Sequence, residues 1–125
     1  MRFLYAALLF AGLLPGVSWG QCQGQTTQLV ALAHESITVA GTALPLTAAT
    51  YAQSGGTAAY ALVTVEDAPV RYEIDGGTPS STVGHLANPG ASVSLCGIDL
   101  VSKFKAIRST ATSATVKVTY LKARP

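Results

Sequence analysis

Apolar and polar residues alternate with a period of two along three segments of the chain, as is typical of half-buried β-strands. The alternation is strict over Val70–Asp75, and it also runs through Ala58–Glu66 and Ser113–Leu121. Asp67-Ala68-Pro69 separates the segments 58–66 and 70–75 and has the composition of a short turn. We therefore expect 58–66 and 70–75 to pair as an antiparallel hairpin. The side chains expected on core faces include Val70, Ile74, Tyr60, Tyr72 and Tyr120.

Weaker patterns add several short elements. Candidate strands cover Gln28–Ala33, Ser36–Ala40 and Leu44–Ala48, the last an edge strand because a proline cannot donate a ladder hydrogen bond. Val93 and Leu95 mark another short strand. Residues 98–108 fit a helical turn at Ile98–Ser102 followed by a strand through Ser109.

Short strands separated by turn residues every 8–12 positions indicate an all-β fold, a single β-sandwich or jelly-roll-like domain of short antiparallel strands. We expect residues 21–57 to form an N-terminal arm and the first strands, and residues 58–125 to form the main portion of the same domain. No linker long enough to separate two domains interrupts this pattern.

The pattern of residues 1–20 is typical of an export signal. A positive start at Arg2 precedes an apolar run from Phe3 to Leu14, which is too short for a membrane span of about 20 residues. Ser18 and Gly20 place small side chains before a cut at Gln21, so cleavage is expected after Gly20. An uncleaved anchor is the alternative reading of this segment.

Charge is sparse and unevenly distributed. Charged residues make up 11% of the chain and its formal net charge is +2, which argues against a general nucleic-acid binder. From residue 21 to 100 there are six acidic residues and one basic, whereas residues 101–125 hold six basic and no acidic ones. Such asymmetry fits either strand pairing within the fold or contact with a neighbouring molecule. The interface candidates are Lys103, Lys105, Arg108 and Lys117.

The two cysteines, Cys22 and Cys96, are candidates for a disulfide that would tie the N-terminal arm to the middle of the sandwich. Closing so long a loop stabilises a domain by roughly 4 kcal/mol in the chain-entropy account. The alternative is a buried Cys96 and an unpaired Cys22 near a fraying terminus.

Residue patterns for catalysis or metal binding are weak. His34 and His85 lack the spacing of a zinc site, and His85 is expected in a loop. Glu66 and Asp67 flank a turn, and Asp75-Gly76-Gly77 has turn chemistry that requires no ion. We therefore expect no enzyme activity, no cofactor and no metal.

The succession of segments over residues 58–121 resembles small virion proteins of tailed phages. The segments are Tyr60–Glu66, Val70–Tyr72, Asp75–Pro79, Val83–Leu86, Phe104–Arg108 and Ala114–Tyr120. The resemblance implies a compact β-sandwich that decorates the phage head or attaches to the tail without catalysis. Its partners would be capsid or tail proteins or further copies of itself.

A cleaved export signal does not fit a protein that assembles on virions in the cytoplasm. The alternative is an exported surface-binding module, secreted or periplasmic after cleavage, with carbohydrate as a ligand. Sugar sites usually present exposed aromatic rings, and Tyr51 is the tyrosine left free by its position. Neither reading includes nucleic acid or a stable membrane anchor.

Overall fold

The computed structural model describes Cys22 and residues 28–125. The predicted signal, residues 1–20, and its cleavage site after Gly20 lie outside the described residues. In chain order the elements are β1 (Leu29–Val39), β2 (Leu44–Pro45), α1 (Ala48–Tyr51), β3 (Ala52–Gln53), β4 (Gly56–Thr57), β5 (Tyr60–Val65), β6 (Val70–Glu73), β7 (His85–Ala87), β8 (Ser92–Cys96), α2 (Ile98–Lys103), β9 (Lys105–Arg108) and β10 (Ala114–Ala123).

Two antiparallel four-stranded sheets make up the fold, with strand order β1-β10-β5-β8 in the first and β2-β9-β6-β7 in the second. Strands β3 and β4 form a separate small hairpin. One cluster of buried residues draws on both sheets, so they pack as the two layers of a sandwich. The all-β prediction is confirmed.

The core is built from the inward faces of strands whose alternation is visible in the sequence. Val116, Val118 and Tyr120 of β10 are almost completely buried, and Val70 of β6 meets them from the other sheet. Tyr72 and Ile74 pack against the same cluster, as predicted. Phe104, which follows α2, fills the core with 2% of its surface exposed.

The predicted hairpin between 58–66 and 70–75 is wrong. β5 pairs with β10 and β8 in the first sheet, whereas β6 pairs with β7 and β9 in the second. The connection crosses between the layers, because the N–H of Glu66 donates to Thr115 in the first sheet and the carbonyl of Pro69 accepts from Ser109 beside the second. A short turn made the two strands neighbours in sequence without making them partners.

The orientation expected for Tyr60 also needs correction. The core face of β5 carries Ala61, Val63 and Val65, which are nearly or fully buried. Tyr60 lies on the opposite face, in register with Leu121, although only 6% of its surface is exposed. Its hydroxyl shares a hydrogen bond of 3.0 Å with Ser94 Oγ.

The N-terminal third differs from its predicted division. The two expected strands at 28–33 and 36–40 are one strand, β1, with an irregularity between Ala31 and Ala33. The strand expected over 44–48 ends at Pro45, and the short helix α1 follows. By contrast, the helical turn and strand predicted over 98–108 are present as α2 and β9.

A disulfide joins Cys22 to Cys96 at a Cα–Cα distance of 5.6 Å. Cys96 ends β8, at one edge of the first sheet, whereas Leu29 begins β1 at the opposite edge. The bond therefore ties the N-terminal end of the described chain to the far edge of the sheet.

Candidate interaction surface

Three strands of the second sheet present an apolar row on their outer face. Arg71 of β6 lies directly opposite Leu86 of β7 on one side and Ile107 of β9 on the other. Leu86 is 49% exposed, and Val83, just before β7, is 58% exposed. Directly opposite residues share one face of a sheet, so the row runs Leu86, Arg71, Ile107 across the strands.

The first sheet offers a polar row for comparison. Ser36, Lys117, Thr64 and Ser92 lie opposite one another across all four strands. Lys117 Nζ donates to Ser36 Oγ at 3.0 Å. An outward-facing row of hydroxyl and ammonium groups is the usual solvated face of an antiparallel sheet. The apolar row of the second sheet departs from that pattern, and large apolar groups left on a surface mark interaction sites when they cluster.

The loop that precedes β7 is held against the sheet by its own hydrogen bonds. Ser80 Oγ accepts from the N–H of Val83 at 3.0 Å, and the Ser80 N–H donates to the Val83 carbonyl at 3.0 Å. Arg71 Nη1 donates to the carbonyl of Gly84 at 2.9 Å. A Cβ at Gly84 would lie 2.9 Å from the Tyr72 carbonyl oxygen, so only glycine lets the loop approach β6 this closely. Val83 is therefore presented by a fixed loop.

Arg71 is the cation at the centre of the row. Its Nη1 is bonded to the loop, but its Nε is buried and has no hydrogen-bond partner among the described residues. A buried donor without a partner is costly, and such groups call for a specific explanation. Through the two strand pairings the Arg71 side chain lies between Leu86 of β7 and Ile107 of β9.

A shallow polar cavity of about 540 Å³ adjoins this row at the end of β9. Its lining is Gly41, Ser80, Ser81, Ile107, Arg108, Ser109, Thr110 and Ala111. Backbone bonds fix the rim, because Arg108 N–H donates to Ala40 and Ser109 N–H donates to Pro69, each at 3.0 Å. Ile107 belongs to the row and also lines the cavity, so the two adjoin at this residue.

Arg108 is the cationic residue of the cavity lining, and its side chain leaves β9 on the same face as its strand partner Val70. Its guanidinium lies against Gly41, where Nη2 is 3.2 Å from the position a Cβ would take. Within the described chain this guanidinium makes no hydrogen bond and no ion pair, and the cavity lining contains no carboxylate. The site thus combines one cation, several hydroxyls and an apolar edge.

The four predicted interface cations do not form one patch. Lys103 is paired with Asp99 at 3.0 Å on α2. Lys105 faces Glu73 across the β6–β9 pair, and its Nζ lies 3.5 Å from the carbonyl oxygen of Gly76. Lys117 lies on the other sheet, Lys105 lies two residues from Ile107 on the same face of β9, and Arg108 lines the cavity at the end of that strand.

The predicted turn at Asp75-Gly76-Gly77 lies next to the start of β9. Asp75 Oδ1 accepts the N–H of Gly77 at 2.8 Å, which is the local bond of an Asx turn. Through the Lys105 contact this turn is connected to β9.

Two aromatic expectations need correction. Tyr51 is not a free ring, because it packs against the core with its centroid 6.1 Å from that of Tyr120. His85 is the first residue of β7 rather than a loop residue, and its ring lies 5.4 Å from Tyr72. Tyr72 in turn stacks on Phe104 at 5.7 Å. The described aromatics serve packing, which removes the support for a sugar-stacking platform at Tyr51.

The titratable groups are dispersed over the fold. Among Cys22 and residues 28–125, no group of three or more His, Cys, Asp or Glu side chains is arranged to hold a metal ion. His34 and His85 belong to different sheets.

Asp67 accepts from the N–H and Oγ of Thr115, at 2.6 and 3.1 Å, and the backbone bond lowers the pKa of its carboxyl. None of the helices in the described part of the chain is long and apolar enough to cross a bilayer.

Sequence reasoning identified Arg108 but missed Arg71, Val83 and Leu86. The signal for β7 is only three residues long, too short for a period to be recognised. The row itself joins residues 71, 86 and 107, which meet only through strand pairing.

No protein-family model matches the chain, and no curated protein or solved structure is detectably similar to it. The function of the surface must therefore be inferred from its own chemistry.

Proposed function

We propose that this chain is a non-enzymatic structural and adhesive β-sandwich protein that acts through protein–protein contacts, as an accessory of a tailed-phage virion on the head or the tail. The observation that carries the adhesive role is the outer row of Leu86, Arg71 and Ile107, in which Leu86 is exposed and the other two are partly buried, with the exposed Val83 beside it. These residues stand on paired strands and on a hydrogen-bonded loop, so their positions are set before a partner arrives.

The energetics favour a protein as the partner of this face. Each apolar side chain buried on association contributes about 25 cal/mol per Å² removed from water. Arginine is enriched in interface cores because its guanidinium bonds and stacks while its stem packs. A row with one arginine between two aliphatic residues has that composition, whereas the Ser36–Lys117–Thr64–Ser92 row of the first sheet does not.

The virion context is supported by where the resembling segments lie. They correspond to β5, β6, the Asp75–Pro79 turn, β7, β9 and β10, which together contribute strands to both sheets. A resemblance spread through both layers concerns the whole sandwich rather than one hairpin. A particle accessory needs a rigid fold with an adhesive face, and the sandwich with its outer row of Leu86, Arg71 and Ile107 fits that need.

A second candidate is an exported surface-binding module, and the Cys22–Cys96 disulfide is the observation that favours it. Structural disulfides form and persist in oxidising compartments such as the periplasm or the extracellular space. In this alternative the same row would bind a protein at the cell surface. The disulfide indicates the compartment in which the protein folds, whereas the row indicates the kind of partner that it binds. The two candidates therefore differ in location but use the same binding face.

Mass spectrometry of density-gradient-purified phage particles from cells that carry the gene separates the candidates. The virion proposal expects the chain in the particles at a fixed number of copies per particle, and expects Leu86→Asp to remove it from them. Ser92→Asp, an equivalent change on the outer face of the first sheet, is the control and should leave incorporation unchanged.

Fractionation of the same cells tests the export candidate. Recovery of the chain in the periplasm or medium with Gln21 as its first residue, together with its absence from particles, overturns the virion proposal in favour of export. Turnover of a substrate that is abolished by replacing a single histidine or carboxylate would overturn the non-enzymatic role in both candidates.

A further inference from the structure

We propose that β7 is a pairing edge at which two copies of this chain join their second sheets into one continuous sheet. This inference rests on the proposed adhesive function and names the partner at one edge of that surface. β7 is the last strand of the second sheet, and within the described chain it pairs with β6 alone. No further backbone hydrogen bond involves residues 85–87 in the described part of the chain. The backbone groups on the open side of β7 are therefore available to another strand.

The other three edges of the two sheets each have a feature that opposes such pairing. β2 has two residues and ends in Pro45, which cannot donate a ladder hydrogen bond. β1 has an irregular register in its first half and carries the charge of Glu35. β8 has Cys22 bonded to its last residue, Cys96. Prolines, bulges, charges and covering segments are the usual means of keeping sheet edges apart, and β7 itself contains no proline, irregularity or formal charge.

The charge distribution around β7 favours a second copy as the occupant of this edge. Residues 76–98 contain no Asp, Glu, Lys or Arg, and β7 lies within that stretch. The cation opposite Leu86 is Arg71, which belongs to the neighbouring strand and donates to the carbonyl of Gly84. A two-fold axis brings the residues beside it against their own copies, so like charges at such an axis would repel. A neutral edge is therefore compatible with self-pairing and offers nothing to select a strand of opposite charge.

Leu86 is the central residue of β7 and sets the expected symmetry. With the axis at this position, Leu86 lies directly opposite Leu86 of the second copy, and His85 lies opposite its Ala87. Directly opposite side chains have Cβ atoms about 4.5–5.5 Å apart, so the two exposed leucines pack together. Val83 and Pro89, both exposed, are each three residues from Leu86, so Val83 faces Pro89 of the second copy at each end. These apolar contacts supplement a ladder of only three residues.

Oppositely charged variants at position 86 test the axis. In sedimentation velocity of the full disulfide-bonded chain, we expect the wild type to form a dimer as its concentration rises. Leu86→Lys and Leu86→Glu should each dimerise at least tenfold more weakly, because like charges meet at the axis, and an equimolar mixture of the two should dimerise again. Ser92→Lys and Ser92→Glu, on the outer face of the first sheet, are the controls and should behave as the wild type does. A wild type that stays monomeric, or a mixture that does, overturns the inference.

Amide hydrogen exchange of the wild type supplies a measurement that needs no substitution. The amides of β7 that point away from β6 should exchange at least tenfold more slowly at concentrations where the dimer forms than in the monomer. The amides of β1, the long edge strand of the first sheet, should exchange at the same rate in both. Exchange at β7 that does not depend on concentration overturns the pairing, as does protection that appears at β1 instead.

Particle composition keeps this inference separate from the proposed function. A chain that is monomeric in solution, but whose Leu86→Asp variant is still lost from particles, overturns the self-pairing alone and assigns the edge to a strand of another virion protein. A chain that dimerises through residue 86 but is absent from particles supports the self-pairing and overturns the virion role alone.

Discussion

The hydroxyl of Tyr120 donates a hydrogen bond to Oε1 of Glu35, joining β10 to β1 beside the core. The same carboxylate oxygen accepts the N–H of Thr47, at 3.2 Å, at the residue that precedes α1. Tyr120 is completely buried, whereas Glu35 is only partly so. One glutamate therefore connects two strands of the first sheet to the segment that leads into α1.

Tyr120→Phe keeps the ring and removes only this bond. Because a hydrogen bond to a charged group contributes about 1.5–3 kcal/mol, we expect the free energy of unfolding in urea to fall by roughly that amount. The control is Tyr51→Phe, which changes the neighbouring ring in the same way and should shift stability by less than about 0.5 kcal/mol. Equal effects of the two changes would show that the Glu35 bond contributes nothing specific.

Alkaline pH probes the same pair. Burial, reinforced by the bond to Glu35, raises the pKa of Tyr120 above the ordinary 10.0. The folded state thus holds a proton that the unfolded state releases, so this contribution is complete below pH 10.0 and is lost as pH rises above it. Tyr120→Phe should show a flatter loss of stability in that range than the wild type. Parallel profiles would contradict this assignment.

Strict alternation was enough to predict β6 and β10 and the side chains they bury. Alternation along one strand reports which residues share a face, but not which sheet the strand joins. That is why β5 was paired with β6 when its partners are β8 and β10. The strands β3, β4 and β7, of two or three residues each, contain too few periods to be recognised.

The candidate surface could be predicted only in part from the sequence. Charge placement identified Arg108, because a late basic cluster is visible in the residue order. The row of Leu86, Arg71 and Ile107 is created by two strand pairings, each between residues more than ten positions apart. No local window contains such a row, so it can be found only once the strand order is known.

Removal of the disulfide should lower stability strongly. The Cys22–Cys96 bond closes a loop with a sequence separation of 74, for which the chain-entropy account gives about 4 kcal/mol. We expect the Cys22→Ser/Cys96→Ser double variant to lose about that much free energy of unfolding. A reducing agent should bring the wild type to the same value and leave the variant unchanged, and a wild type insensitive to reductant would contradict the prediction.

Asp67 should contribute to stability in mild acid. The N–H of Thr115 bonds its carboxylate and holds the pKa of Asp67 below the usual 3.8. A lowered folded-state pKa gives stability that is present above pH 3.8 and lost as pH falls through the folded value. Asp67→Asn should lack this component of the acid unfolding profile, which far-UV circular dichroism measures.

Thr115→Val is the matched control for that measurement. It removes the Oγ bond to Asp67 but keeps the backbone N–H, which is the larger cause of the lowered pKa. Most of the acid dependence should therefore remain in this variant. An acid profile of Asp67→Asn that coincides with the wild type would show that the Thr115 contact does not perturb the carboxyl.

Gly84→Ala should be the most damaging small substitution near the candidate surface. Gly84 has a φ of +115°, and a Cβ there would lie 2.9 Å from the Tyr72 carbonyl oxygen and 3.2 Å from Pro79 Cβ. Gly90, with a φ of +87°, has no atom within 4 Å of the corresponding position, and Gly55 has neither the positive φ nor a close neighbour.

These three glycines separate backbone strain from steric overlap. Gly90→Ala should cost about 1–2 kcal/mol through its φ alone, and Gly55→Ala should stay within about 0.5 kcal/mol of the wild type. Gly84→Ala should exceed Gly90→Ala by at least about 1 kcal/mol, because backbone atoms must move to admit the methyl group. Urea unfolding of the three variants measures this order. Equal losses at Gly84 and Gly90 would mean that the loop carrying Val83 yields easily and does not hold that side chain in place.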